Sequence, residues 1–208
     1  VECAPGPLRD VRDTIRRLGR EALGVSNVQS LRGVEGKIRA AYYTAFPLIL
    51  QPPWTFSGRN RRPPRDEINA LISFLNCALY GACNAEVFRT RLHPAVSFLH
   101  DAQDGRLSLG LDVAEVFKPI IVDRLIFRMA NTHALNPGHF RRADNACLLN
   151  EEGKRIVVSN WNKRLSTTIF HRRIRRHVSY RHLLRMECHA LANHVDGIAE
   201  YRAFRAWW

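Results

Sequence analysis

The chain has 208 residues, enough for one large domain or two small ones with a real core, and its 46% hydrophobic and 25% charged make-up is that of a globular protein. Its 32 lysines and arginines against 19 acidic residues give a formal net charge of +13. No run of about 18 apolar residues and no secretory leader is found, so a membrane span and export are not expected.

The charge points to a polyanion as partner. Four of the basic residues are lysines, Lys37, Lys118, Lys154 and Lys163, and the rest are arginines, whose forked donors match phosphate oxygens. DNA or RNA is the leading candidate, and an arginine-rich composition without function is the other account. The five cysteines, Cys3, Cys77, Cys83, Cys147 and Cys188, are odd in number and form no C-x-x-C pair. A disulfide framework is therefore not expected, and a reducing compartment is. Cys77 and Cys188 stand among apolar helical positions and read as small core residues.

Taken in order, the apolar periodicity is helical nearly throughout. Residues 8–23 read as an amphipathic helix ended by Gly24 and Ser26. A second helix is expected over 30–46. A proline-rich loop follows over 47–65 and carries Arg59, Arg61, Arg62 and Arg65. Asp66 is placed to cap the next helix, in which Ile68, Leu71, Ile72, Leu75 and Leu79 fall on one face. Residues 93–103 read as a connection and Asp104-Gly105 as a turn. A long apolar helix is expected over 112–130, then a basic, weakly patterned stretch over 131–150, and a short helix over 151–164. Arg172, Arg173, Arg175 and Arg176 form a basic run. A last helix over 179–197 presents Leu184, Cys188, Leu191, Val195 and Ile198 as a stripe. No strand series stands out, so the expected fold is all-α. It divides into first helices (8–46), the loop (47–65), core helices (66–130) and a basic C-terminal helical part (131–208).

Three segments hold residues able to do chemistry. Glu35 lies early in a helix between Gly33 and Gly36, which weaken that helix unless another backbone or DNA approaches closely. The plainer account is a glutamate paired with Arg39 four residues on. His100 follows an apolar segment and precedes Asp101. Asp112 and Glu115 share a helix face. They also form a capping-box pattern, yet their neighbours are almost all apolar, and Pro119 cannot donate to the Glu115 carbonyl, so the helix should be irregular beside the acid. Oxygen ligands with one imidazole would suit Mg²⁺ or Mn²⁺. A zinc site from His133, His139 and Cys147 fits no finger spacing. The remaining histidines, His171, His177, His182, His189 and His194 among them, read as flanking a DNA-facing or helix surface and not as metal ligands, and Trp207 and Trp208 as packing on the core or a partner and not as stacking on bases.

Read together, the motifs resemble the CRISPR-associated protein one family. They are L-R-G-V-E-G-K at 31–37 with Tyr42-Tyr43, P-R-D-E-I-N-A-L-I-S-F at 64–74, L-H-P-A-V-S-F-L-H at 92–100, S-L-G-L-D-V-A-E-V-F-K-P-I-I-V-D at 108–123, C-L-L-N-E-E-G-K-R at 147–155, and the closing residues 201–208. The resemblance implies a helical catalytic domain of the CRISPR adaptation integrase, with Glu35, His100 and Glu115 holding a divalent Mg²⁺ or Mn²⁺ ion and Asp112 supporting the site. It implies joining of the 3′-hydroxyl ends of foreign DNA into the CRISPR repeat by transesterification. Arg59, Arg61, Arg62, Arg65, Arg172, Arg173, Arg175 and Arg176 would hold DNA phosphates. The implied partners are DNA, a second copy of the chain, a dimer of CRISPR-associated protein two, and a fused or separate CRISPR-associated protein four nuclease, in a prokaryotic cytoplasm. Lys118 stands where many members carry arginine. The family's N-terminal β-rich dimerisation domain is not matched in these residues, and the chain opens on Val1, so a preceding region is expected. A branched-DNA nuclease and a non-catalytic helical DNA-binding module are the alternatives.

Overall fold

The computed structural model describes residues 6–100 and 107–207. The predicted turn at residues 104–105 and Trp208 lie outside them.

Helix α1 (Gly6–Leu23) pairs with α2 (Val28–Tyr43) as a helical hairpin, with Asn27 capping α2 through the Ser30 N–H at 2.8 Å. The second helix stops at Tyr43, and Phe46 belongs instead to a single-turn α3 (Phe46–Ile49) whose Pro47 cannot continue the ladder of α2. Helix α4 (Glu67–Val87) is the axis of the fold. Asp66 caps it, and Ile68, Leu71, Ile72, Leu75 and Leu79 are all fully buried. Its length and apolar composition would suffice to cross a membrane, contrary to the expectation that no such stretch exists. Half of that stretch is buried here, against α5 (Leu109–Phe117), α8 (Tyr180–Val195) and neighbouring elements. The Asn84 side chain of α4 lies close against the α5 backbone, because a methyl group on Gly110 would lie 2.1 Å from its amide oxygen.

The expected long helix over 112–130 is three pieces. It begins at Leu109, and after Phe117 the residues Lys118–Asp123 form a π-helical turn before α6 (Arg124–Asn131). The wider turn accommodates Pro119, as the missing donor next to Glu115 required.

The all-α expectation is corrected to predominantly helical, since two antiparallel hairpins interrupt the basic C-terminal part. Strands β1 (Phe140–Ala143) and β2 (Ala146–Leu149) pair with Phe140 opposite Leu149. They turn through Asp144 and Asn145, both at positive φ (48° and 61°), the geometry of a two-residue hairpin loop. Helix α7 (Glu151–Ser166) follows, capped by Asn150. Strands β3 (Thr168–His171) and β4 (Arg176–Ser179) then pair with His171 opposite Arg176, and Arg172, Arg173 and Arg175 form the connecting turn. The final helix, α8, keeps Leu184, Cys188 and Leu191 buried, but Val195 and Ile198 are 58% and 66% exposed, so its stripe ends earlier than expected. Cys77 is exposed and not a core residue, whereas Cys83, Cys147 and Cys188 are buried. Trp207 packs at ring-centroid distances of 5.7 Å from Phe204 and 6.0 Å from His171.

Candidate active site

The site is assembled from α2, the segment ahead of residue 101, and α5 with its π-helical turn. Asp112 is not the N-cap of α5, which starts three residues earlier at Leu109. Its carboxylate turns toward the preceding segment and accepts the backbone N–H groups of Phe98 at 2.6 Å, Leu99 at 2.9 Å and His100 at 3.1 Å. The same carboxylate meets His100 Nδ1 at 2.6 Å. A carboxylate can only accept, so Nδ1 carries a proton, and in the neutral form of the ring the lone pair lies on Nε2, turned away from Asp112. The Arg32 side chain donates to the Leu99 carbonyl and ties α2 to this segment.

Glu115 lies one helical turn beyond Asp112. Its two oxygens contact the Arg39 guanidinium and the Lys118 ammonium. Arg39 also donates to Glu35 at 3.3 Å, so one guanidinium joins the two acids. Burial alone would lower the Arg39 pKa, but Glu115, then Tyr43 and Glu35, outweigh it and raise the value. Lys118 is 8% exposed at its side chain and stands 5.0 Å over the Tyr80 ring. Beneath, Asp123 is 3% exposed and accepts the Tyr42 hydroxyl at 3.0 Å. Burial pushes its carboxyl up to about 6, against the pull of the Tyr42 hydrogen bond, Arg39 and Lys118.

The structure therefore couples Glu35 to Glu115 through Arg39, and His100 to Asp112 on the same helix as Glu115. No group of three or more His, Cys, Asp or Glu side chains surrounds a common point among the described residues. Glu35, His100 and Glu115 are thus not gathered at coordinating distance, and neither are His133, His139 and Cys147. Cys147 is buried in β2, and His139 Nδ1 accepts the Asn136 N–H at 3.1 Å. The donor chemistry nonetheless suits a hard divalent ion: two carboxylates with side chains 41% and 22% exposed, and one 29% exposed imidazole oriented by a second carboxylate. Arg39 and Lys118 are the cations that compensate Glu115 here.

The predicted DNA-contacting arginines separate into two kinds. Arg61, Arg62 and Arg65 are exposed, as are Arg172, Arg173, Arg175 and Arg176. Arg59 is half-buried and structural: it donates to the Asn60 carbonyl, to Asn69 Oδ1 at 2.8 Å and to Ser73 Oγ at 2.9 Å, holding the proline-rich loop on α4. Desolvation of this guanidinium requires such partners. Sequence reasoning missed the bridging role of Arg39, the Lys118–Tyr80 pair and Asp123. A signal existed for the last, an acid closing the apolar run Ile120-Ile121-Val122.

A family model described as CRISPR associated protein Cas1 matches residues 5–163. The chain belongs to the Cas1 family. It is 39% identical over 199 residues to a CRISPR-associated endonuclease Cas1 of Thermodesulfovibrio yellowstonii, and 42% identical over 199 residues to a CRISPR-associated protein Cas1 of Methanobrevibacter ruminantium. In each case 96% of this chain and 61% of the relative are covered, so the chain spans about three fifths of the length of these Cas1 relatives. The solved Cas1 protein of Thermotoga maritima superposes with a TM-score of 0.83 at 39% identity, over 89% of this chain and 57% of that one. A casposase bound to its integration product shares the fold alone, with a TM-score of 0.80 at 21% identity, over 96% of this chain and 62% of that one.

Proposed function

We propose that this Cas1 chain is the catalytic portion of a metal-dependent DNA integrase of CRISPR adaptation. In the reaction, the 3′-hydroxyl of a foreign DNA fragment attacks a phosphodiester at a repeat boundary. A new phosphodiester forms, the bond to the displaced 3′-oxygen breaks, and the proton of the attacking hydroxyl passes to that oxygen through solvent. The observation that carries this reading is the set Glu35, Arg39, His100, Asp112, Glu115 and Lys118, in which Arg39 and Lys118 compensate the acids Glu35 and Glu115 while Asp112, on the helix of Glu115, orients the His100 imidazole.

Glu35, His100 and Glu115 would hold the Mg²⁺ or Mn²⁺ ion, which supplies Lewis-acid stabilisation of phosphate and leaving oxygen. Asp112 keeps the His100 ring in one tautomer and orientation. Lys118 and Arg39 offer positive charge to a phosphate entering the site. Arg61, Arg62, Arg65 and the 172–176 run hold backbone phosphates without reading sequence. A second copy of this chain, DNA, a CRISPR-associated protein two dimer and a CRISPR-associated protein four nuclease are the partners of this reading. A fold neighbour described as a Cas6-RT-Cas1–Cas2 complex is compatible with the protein two dimer, at the level of fold.

The test is strand joining between a labelled fragment and a supercoiled CRISPR plasmid in the full assembly. Joined product that disappears in Glu115→Ala and His100→Ala supports the integrase, and intact joining in either variant overturns it. Relatives described as endonucleases favour a second reading, hydrolysis with water as nucleophile, for which the same assay yields nicking alone. A chain that binds DNA but shows no Glu115-dependent Mn²⁺ site would be a non-catalytic module.

A further inference from the structure

Both oxygens of Glu115 are already engaged. One accepts from the Arg39 guanidinium and the other from the Lys118 ammonium. A carboxylate that turns to a divalent ion must give up donors of this kind. That exchange would strand two cations that the fold encloses, with side chains 20% exposed for Arg39 and 8% for Lys118. A cation at this depth needs another anion. Glu35 stands 3.3 Å from Arg39, but it belongs to the same proposed ligand set as Glu115.

Asp123 is the acid that is left. It is 3% exposed and ends the π-helical turn that Lys118 begins. A π-helical turn bonds residues five apart, so its first and last residues return to one side of the chain. One Asp123 oxygen accepts the Tyr42 hydroxyl at 3.0 Å, and the other accepts no hydrogen bond among the described residues. The attraction is mutual. Arg39 and Lys118 draw the Asp123 carboxyl down against its burial, and Asp123 helps to raise the Arg39 pKa. The fold thus keeps a buried acid with acceptor capacity unused, beside two cations that are held by another acid.

We infer that Asp123 is a positioning residue for metal binding, the carboxylate to which Lys118 and Arg39 pass when Glu115 turns to a divalent ion. The inference rests on the ligand set of the proposed function. It explains why a buried acid that lies outside that set is placed at the end of the π-helical turn. Cations compensated in this way stay at the site and keep donors for a phosphate, since an ammonium has three N–H groups and a guanidinium five.

The test is Mn²⁺ calorimetry on the chain at pH 8, where the Asp123 carboxyl, pushed up to about 6, is ionised. Glu115→Ala identifies the site. Asp123→Asn keeps the shape and has no charge to bury, and it is expected to bind Mn²⁺ about tenfold more weakly, with a Tm in EDTA no lower than the parent's. Lys118→Met removes one of the cations that needs a recipient. In that background the loss from Asp123→Asn is expected to shrink to about twofold, with circular dichroism checking the fold of each variant. A through-space effect of the Asp123 charge on the ion would be the same in both backgrounds. Equal losses in the two backgrounds, no loss in Asp123→Asn, or a lowered Tm of that variant in EDTA would each overturn the inference and leave the proposed function standing. A parent chain with no Glu115-dependent Mn²⁺ site would overturn the proposed function and this inference together.

Discussion

The Asp112 carboxylate holds His100 twice, through the ring Nδ1 at 2.6 Å and through the backbone N–H at 3.1 Å. One acid on α5 thereby fixes both the position of the imidazole and the face it presents. Asp112→Ala removes both contacts and also the acceptor for the N–H groups of Phe98 and Leu99. Metal affinity or joining activity is expected to fall by about 10- to 100-fold, the usual cost of removing a carboxylate behind a ligating histidine. Mn²⁺ calorimetry alongside the joining assay checks this.

Arg39 bridges Glu35 and Glu115, so its removal takes the cation from Glu35 and leaves Glu115 with Lys118 alone. Arg39→Met is expected to destabilise the metal-free chain by about 1–3 kcal/mol, below the cost for a fully buried pair because solvent still reaches these side chains. Added Mn²⁺ should restore much of the loss by replacing the missing charge. Thermal melts with EDTA and with Mn²⁺ measure both, and a Tm unchanged in EDTA would contradict the bridging role.

Asp123 sets a pH dependence. Its carboxyl rises from 3.8 to about 6 on folding, so the folded chain holds this proton more tightly than the unfolded chain. The stability it contributes is fully present below about pH 4 and is lost as pH rises through about 6. Asp123→Asn, which carries no charge to desolvate, is expected to be more stable than the parent at pH 8 by up to ~3 kcal/mol and nearly equal to it at pH 4. Urea titrations of both proteins at the two pH values give the difference.

Gly33 and Gly36 flank Glu35, and a methyl group added to either would meet nothing within 4 Å outside its own helix backbone among the described residues. Packing among the described residues gives no reason for them. Gly36→Ala is therefore expected to stabilise α2 by roughly 0.5–1 kcal/mol. If DNA approaches this helix closely, the same change lowers joining while raising Tm; a variant that joins at the parent rate would remove close DNA approach as the explanation.

Arg59 and Arg62 are neighbours in one loop with opposite expectations. Arg59→Ala breaks bonds to Asn69 and Ser73 and should lower stability by about 1–3 kcal/mol. Arg62→Ala, exposed, should leave Tm unchanged and reduce the salt slope of DNA binding by about one.

Much of the fold was legible in the residues because it rests on local rules. The α4 stripe from Ile68 to Leu79, its Asp66 cap and the break at Pro119 follow from helical spacing, capping and a missing donor, and each stands where expected. The hairpins were missed because each strand is four residues long, too short for alternation to register, although Asp144-Asn145 is a turn signal. Cys77 was misplaced because an apolar neighbourhood in sequence does not say which side of a helix faces out.

By itself the sequence determined the helical periods, the caps, the excess of guanidinium charge, and which acids and imidazole stand in motifs resembling the Cas1 family. Only the tertiary structure decided that Asp112 serves His100 instead of capping α5, that Arg39 joins Glu35 to Glu115, and that Arg59 turns inward while Arg172 closes over Trp207. The reason is range. Periodicity and capping act over three or four residues, whereas His100 and Asp112 are 12 residues apart and Arg39 and Glu115 are 76 apart, separations that only tertiary packing can close.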